Sequence, residues 1–535
     1  MAAGIDDLLA AFFDRELEDS PVAASALGID GYDDRLGEYD AAAFERRAAA
    51  DRQWRDRFAA LADDDLDDVH RLDRDLVLST LRGRVAMEDW AVWRRNPDTY
   101  LNPGLSGVFT LFLHRLHPEG ELAASAAARL RQVPAILDAG RANLDPSLVS
   151  PVFAERAKGQ CAAAVTYSRD LLPAEVAHDD DARRALAEAG AIAADAYERF
   201  GAFLDELVTT ASGAFAVGED RYTTLLQQRE LLDLDTSALT ARGHEQYDEL
   251  AAEMSELTER IDGSRDWRAL VGQLNLDHPP TPDDMRTTYA TWTARARAFL
   301  VEHDLVTLPD GEECLVTPSP HFQRPVLAVA SYSLPPPFRP TRTGHFFVPY
   351  PPDGTPDDEV QRRLESNNFS EIPTVSVHEA YPGHHWHLVC AKESGRPVRS
   401  LLRSAYFAEG WALYAERMMR SQGFFTDPRH ELMHLKDRLF RAARIVVDTG
   451  LHTGELTFED AVAFMMGRAG LPEPTARAEV GRYCSWPTQA SSYLTGSLEI
   501  ERMQRAWPGS LKDFHDRIAR LGCMPVALHE RGLGL

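Results

Sequence analysis

The residues that could do chemistry are concentrated in Val375-Ser376-Val377-His378-Glu379-Ala380-Tyr381-Pro382-Gly383-His384-His385-Trp386, where three histidines and a glutamate sit among apolar and aromatic neighbours. Such groups are costly to enclose without partners. A divalent cation satisfies all of them at once, and a hydrogen-bonded core cluster is the alternative. The run departs from the metallopeptidase pattern H-E-x-x-H because Pro382 stands where the second histidine would be, removing an amide and clashing with the His378 carbonyl. The helix must kink or break there. On an ideal helix, at about 100° per residue, His385 would return to within roughly 20° of His378 and His384 would lie about 120° away. Treating Pro382-Gly383 as an insertion instead makes His384 the second ligand. We favour His384, with His385 as the alternate ligand or as a group that contacts substrate.

A third ligand should come from another element. Phe407-Ala408-Glu409-Gly410-Trp411-Ala412-Leu413-Tyr414-Ala415-Glu416 offers Glu409 in an otherwise apolar helix, with Glu416 on the same face and able to serve in its place. Two histidines and a carboxylate suit Zn2+, and Mn2+ or Co2+ also occupy such sites. Glu379, next to the first ligand, is then placed to accept the proton of an attacking water.

The literal pattern H-E-x-x-H occurs once, at His430-Glu431-Leu432-Met433-His434. Its histidines continue along one helix face into Asp437, Arg438 and Arg441, whereas Leu432, Leu435, Leu439 and Val446 form the apolar stripe. The expectation is a solvated face and an accidental match.

The elements that must position these residues are mainly helical. Leu186, Ala189, Ala193, Tyr197, Phe200, Leu204 and Leu207 step by three and four, as do Tyr247, Leu250, Met254, Leu257 and Ile261 before a capping Gly263. Thr281-Pro282-Asp283-Asp284 and Thr355-Pro356-Asp357-Asp358 read as helix starts. Short β-like runs, Pro325 to Tyr332 and His345 to Val348, predict a small sheet over about 314–352, in which Phe346-Phe347-Val348 could be an edge strand that pairs with an extended peptide. The fold class expected is mainly α: one body over 1–535, helical over about 1–310, with the metal site and further helices over about 355–535.

Composition limits the partners. Lys and Arg number 57 against 84 Asp and Glu, a formal charge of -27 that repels nucleic acid and anionic membranes. No uncharged apolar run reaches the roughly 20 residues a membrane span needs. The first residues read as a helix rather than a signal peptide. Five scattered cysteines give no disulfide framework, and a cytoplasmic setting is expected. The partners expected are a peptide or small-molecule substrate, with a homodimer allowed.

These residues resemble the bacterial DUF885 family, whose members carry the same H-E-x-x-P-G-H-H run and E-G-W-A-L-Y-A-E helix. The similarity extends to Arg444-Ile445-Val446-Val447-Asp448-Thr449-Gly450-Leu451-His452, to Pro487-Thr488-Gln489-Ala490-Ser491-Ser492-Tyr493-Leu494-Thr495-Gly496, and back to Ser20-Pro21. The family's fold looks like that of M32 zinc carboxypeptidases, which implies a helical body with a deep groove and a metallopeptidase ancestry. The resemblance implies that Tyr493 or His452 donates to an oxyanion. Arg444, Arg482 and Gln489 would face substrate, the arginines receiving a carboxylate unless Arg444 is taken up by Asp448 four residues on. Trp386-His387 stands where relatives often show leucine and glutamine, and His387 is expected to be exposed. Hydrolysis of a peptide or related amide is the leading expectation. A metal enzyme acting on a small amide, ester or C–N bond, and a non-catalytic peptide-binding protein, are the competing readings.

Overall fold

Apolar residues spaced three and four apart become buried helix faces. In the helix Asp180–Thr210 the stripe from Leu186 to Leu207 is buried, the Asp179 side chain caps the first turn by accepting from the Ala182 amide, and Asp180 and Asp181 sit at the positive end of the dipole. In Thr236–Asp262 the residues Tyr247, Leu250, Met254 and Leu257 are buried, Ile261 is half-buried, and Gly263 closes the helix in the left-handed region at φ 80°. The Thr281 side chain caps Pro282–Glu302. These local rules yield a mainly α protein in a computed structural model that describes residues 2–321, 323–324 and 329–535.

The chain divides into two compact units. The first, residues 1–217 with Pro336–Pro340, is helical, its longest elements being Glu119–Asn143 and Asp180–Thr210. The second, Gly218–Pro335 with Thr341–Leu535, holds every candidate site residue, a three-stranded sheet, and the helices Ile372–Glu379, His384–Lys392, Ala405–Ser421, Pro428–Thr453, Glu473–Ser485 and Ser492–Ala506.

The sheet consists of β1 (Glu313–Pro318), β2 (Ser331–Ser333) and β3 (Thr343–Val348) in the order β1-β3-β2. β1 runs parallel to β3 and β2 antiparallel to it. Phe346-Phe347-Val348 therefore lies in the central strand, which corrects the expectation of an edge: Phe346 and Phe347 are paired on both sides, with β1 and β2, and Val348 with β1. Of the predicted run Pro325 to Tyr332, residues 325–328 lie outside the described residues, and its end enters β2.

Two helices of the second unit approach each other through glycines. A Cβ on Gly410 of Ala405–Ser421 would stand 2.6 Å from the Gly496 carbonyl carbon, and a Cβ on Gly496 of Ser492–Ala506 would overlap the Tyr406 carbonyl oxygen. Backbone cannot yield as a side-chain tip can, so Gly496→Ala should cost about 3 kcal/mol, seen as a lower thermal midpoint. Gly481→Ala, a helical site with nothing within 4 Å of the added carbon, should be neutral or stabilising. Equal midpoints for the two variants would refute the account of this helix pair.

Candidate metal centre

Pro382-Gly383 divides the motif between two helices. Ile372–Glu379 starts with Pro373 in its first turn and ends at Glu379, and His384–Lys392 starts afresh. The Tyr381–Pro382 peptide is cis. The Gly383 amide bonds back to the Val377 carbonyl at 3.0 Å, and any Cβ there would overlap the His378 carbonyl, so only glycine fits the turn. The restart brings the His384 ring across that of His378, with centroids 4.8 Å apart and planes at 89°.

Glu409, from Ala405–Ser421, meets both rings: its Oε2 lies 3.8 Å from His378 Nε2 and 3.5 Å from His384 Nε2. One donor atom from each of the three residues lies within 4.8 Å of the others, the one such group among the described residues. Glu416, two turns further along the same helix, is 2.6 Å from His378 Nδ1 and 3.1 Å from His434 Nδ1. It orients His378 from behind, which directs Nε2 to the cluster.

Carboxylates dominate the electrostatics. Burial alone would lower the His378 pKa, but the Glu409 and Glu416 carboxylates beside its two ring nitrogens outweigh it and lift the value to about 10. Glu409 and Glu416 move the other way: burial opposes their ionisation, and the neighbouring histidines overcome it. Glu379 is pushed up by burial and by Glu409, against His378, His384 and Arg441. The donor set suits a divalent cation: two imidazoles and a carboxylate leave room for water, and a cation would take the place of the proton that the carboxylates hold on His378.

His385 faces elsewhere. Its Nε2 is 2.8 Å from Glu312 and its Nδ1 is 2.9 Å from the Tyr332 hydroxyl, while Tyr381 and Arg297 donate to the same glutamate. The alternate ligand and substrate-contact readings of His385 give way to a buried structural bridge, because the second helix begins at His384 and turns the next side chain toward the sheet. His387 is buried rather than exposed, with Nδ1 2.9 Å from the Gly383 carbonyl. Cys390 is a core thiol whose pKa burial raises.

Other expectations are also revised. Arg444 donates to the Tyr483 hydroxyl at 2.9 Å and to Glu479 at 2.8 Å, and Arg482 donates to Glu479 at 2.9 Å and to the Gln489 side-chain oxygen at 2.6 Å. These arginines bond to the protein itself. Asp448 is not the partner of Arg444: it accepts from the Tyr222 hydroxyl and the Ser491 amide. His452 is fully buried, stacked on Tyr222, with Nε2 3.0 Å from the Tyr483 carbonyl, which leaves it no route to an oxyanion. Tyr493 receives a hydrogen bond from Gln489 at 3.3 Å and lies close enough to Glu409 for that carboxylate to raise its pKa beyond the effect of burial.

The face of Pro428–Thr453 expected to be solvated is instead lined with buried charge. His434, Asp437 and Arg438 are buried; Lys436 donates to Glu371 at 2.7 Å and Arg438 to Glu501 at 3.0 Å. Arg441 pairs with Asp437 at 3.4 Å and exerts its field on Glu379 and Glu416. The partners of these charged side chains lie on other elements, which periodicity along one helix does not reveal. The sequence offers Glu416 as a ligand candidate, and its place seven residues after Glu409, on the same helix face, is the signal of its supporting role.

A partly buried cluster of two histidines and one glutamate, backed by a second, buried glutamate, on a mainly helical scaffold defines the class. The chain belongs to DUF885, described as bacterial protein of unknown function, which matches residues 21–532. It is similar to a solved structure from Shewanella oneidensis, described as a candidate lipoprotein of unknown function, with 23% identity, a TM-score of 0.79 and 98% of each chain covered. It is also similar to a candidate lipoprotein from Colwellia psychrerythraea, with 18% identity, a TM-score of 0.82, and 99% of this chain and 98% of that one covered. At these identities the likeness is one of fold. No curated protein matches. Among the described residues no helix is long and apolar enough to cross a membrane.

Proposed function

We propose that this protein is a metal-dependent hydrolase of a peptide or related amide bond, with His378, His384 and Glu409 holding Zn2+ and with Mn2+ or Co2+ as workable substitutes. The observation that carries the reading is the convergence of these three donors beside Glu379, with His378 fixed from behind by Glu416. When bound, the cation supplies Lewis acidity to a water and to the scissile carbonyl. Glu379 takes the water proton and returns it to the departing nitrogen. Its raised pKa brings it nearer to neutral pH, where one carboxyl can serve as base and then as acid. The Tyr493 hydroxyl, oriented by Gln489, donates to the developing oxyanion. A short peptide is the substrate class proposed.

The test is metal analysis of the purified protein, followed by hydrolysis of a peptide library before and after chelation. One bound equivalent of metal, with activity lost on chelation and restored by Zn2+, is expected. A metal-free protein that binds no added Zn2+ would end the proposal. Glu431→Gln should leave metal content and turnover near wild type, since among the described residues Glu431 accepts from Arg420 alone, at 3.3 and 3.4 Å. Loss of turnover with zinc retained in that variant would move the site to His430 and His434.

A further inference from the structure

Tyr493 lies in the first turn of Ser492–Ala506, three residues before Gly496, on the face that meets the Glu409 helix where Gly410 and Gly496 touch. Arg444 holds its ring from one side, 4.9 Å from the centroid. The phenol oxygen accepts from Gln489 Nε2 at 3.3 Å, and among the described residues its own proton is donated to nothing.

A phenol has one proton, and an amide beside it can take that proton. With the Gln489 side chain turned over, its oxygen would face Tyr493, the phenol would donate there, and nothing would remain for a reacting carbonyl. Arg482 prevents this. A guanidinium can only donate, and Arg482 Nη1 stands 2.6 Å from the Gln489 oxygen, so the oxygen must face Arg482 and the NH2 must face Tyr493. Arg482 is held in turn: its Nη2 donates to Glu479 at 2.9 Å, a carboxylate that also accepts from Arg444 at 2.8 Å and from the Tyr483 hydroxyl at 2.6 Å. The Gln489 backbone is fixed as well. Its amide closes the turn Trp486–Gln489 on the Trp486 carbonyl at 3.2 Å, and Thr488 inside that turn sits at φ 70°, a left-handed conformation that β-branched residues avoid. Such strain persists where the surroundings impose it, and here Ser491 Oγ donates to the Thr488 carbonyl at 3.1 Å.

We propose that Arg482 is a positioning residue for the hydrolysis: it fixes the Gln489 amide so that Tyr493 accepts from it and keeps its own proton for the oxyanion that develops on the substrate. The inference rests on the hydrolase reading and extends it to a side chain that touches neither substrate nor metal.

The test is kcat and KM of the full-length, metal-loaded protein on a peptide that the wild type cleaves, for Arg482→Met, Gln489→Glu and Gln489→Met, each with and without Tyr493→Phe. Tyr493→Phe should lower kcat by about 10²–10³-fold, the usual loss of one oxyanion donor. Arg482→Met frees the amide to turn and should lower kcat by about tenfold, the scale of one hydrogen bond, with KM nearly unchanged. A phosphinic analogue of the same peptide, whose tetrahedral oxygen mimics the oxyanion, should bind that variant about tenfold more weakly. Gln489→Glu keeps the native shape yet should be worse than Gln489→Met, because a carboxylate accepts from both neighbours and takes the phenol proton, whereas methionine leaves it free. A purely structural role gives the opposite order. In the Tyr493→Phe background the three changes should have little further effect on kcat. Arg482→Lys, which can still donate to the amide oxygen, should recover most of the loss, and the two Gln489 variants give the reading should Arg482→Met fail to fold. Effects that persist at full size without the phenol, or Gln489→Met worse than Gln489→Glu, overturn this inference and leave the hydrolase reading standing. A wild type that binds zinc and cleaves no peptide overturns both.

Discussion

Glu379→Gln should lower turnover by about 10²–10⁴-fold, the usual worth of a positioned general base, while the protein stays folded and keeps its metal. Glutamine has the same shape but cannot accept and release the water proton. The structure makes this a chemical change rather than a structural one. Burial and Glu409 already work against the Glu379 charge, so the neutral amide removes an unfavourable term and the melting temperature should hold or rise. The ligands His378, His384 and Glu409 are untouched. The measurement is turnover of the metal-loaded variant on whichever peptide the wild type cleaves, together with metal content and a thermal melt. Turnover near wild type would remove Glu379 from the reaction.

Much of this arrangement can be read from the sequence, for local reasons. The stripes from Leu186 to Leu207 and from Tyr247 to Leu257 follow from helical geometry, and the Gly263 cap from the conformational freedom of glycine. The break at Pro382-Gly383 follows from proline stereochemistry, and the break in turn sends His384 to the cluster and His385 toward Glu312. Long-range pairing is less legible. Nothing local says that β1 and β2 flank β3, so an apparent edge strand proves central. Arg444 has a plausible partner four residues away in Asp448 but bonds to Glu479 across a helix boundary. Along Pro428–Thr453, periodicity marks the apolar stripe correctly but cannot see Glu416, Glu371 and Glu501 waiting on other elements, so a buried charged face reads as solvated. His434 illustrates the difference: as part of H-E-x-x-H it suggests a ligand, and in the fold it braces the glutamate that braces one.

Glu416→Gln should weaken metal binding by about 10–100-fold, the usual effect of losing the group that orients a ligating histidine. The carboxylate accepts from His378 through one oxygen and from His434 through the other, with 1% of its side chain exposed. An amide can accept from only one of them and turns an N–H toward the second, leaving a buried donor unpaired. Breaking a buried charged pair in this way costs roughly 3–5 kcal/mol, so the metal-free variant should also melt lower than the metal-free wild type. The difference should depend on pH with a definite sign. Folding depresses the Glu416 pKa to about 2, with the His378 and His434 hydrogen bonds outweighing burial. The stability this contributes is complete above the unfolded value near 4.3 and is lost as pH falls toward the folded one. The gap between wild type and Glu416→Gln should therefore be widest near neutral pH and narrow progressively below about pH 4. Zinc titration of both proteins at neutral pH, with melts across the acid range, measures the two effects separately. Wild-type zinc affinity in the variant would show that Glu416 does not position His378, and a gap constant with pH would show that its ionisation is not what stabilises the fold.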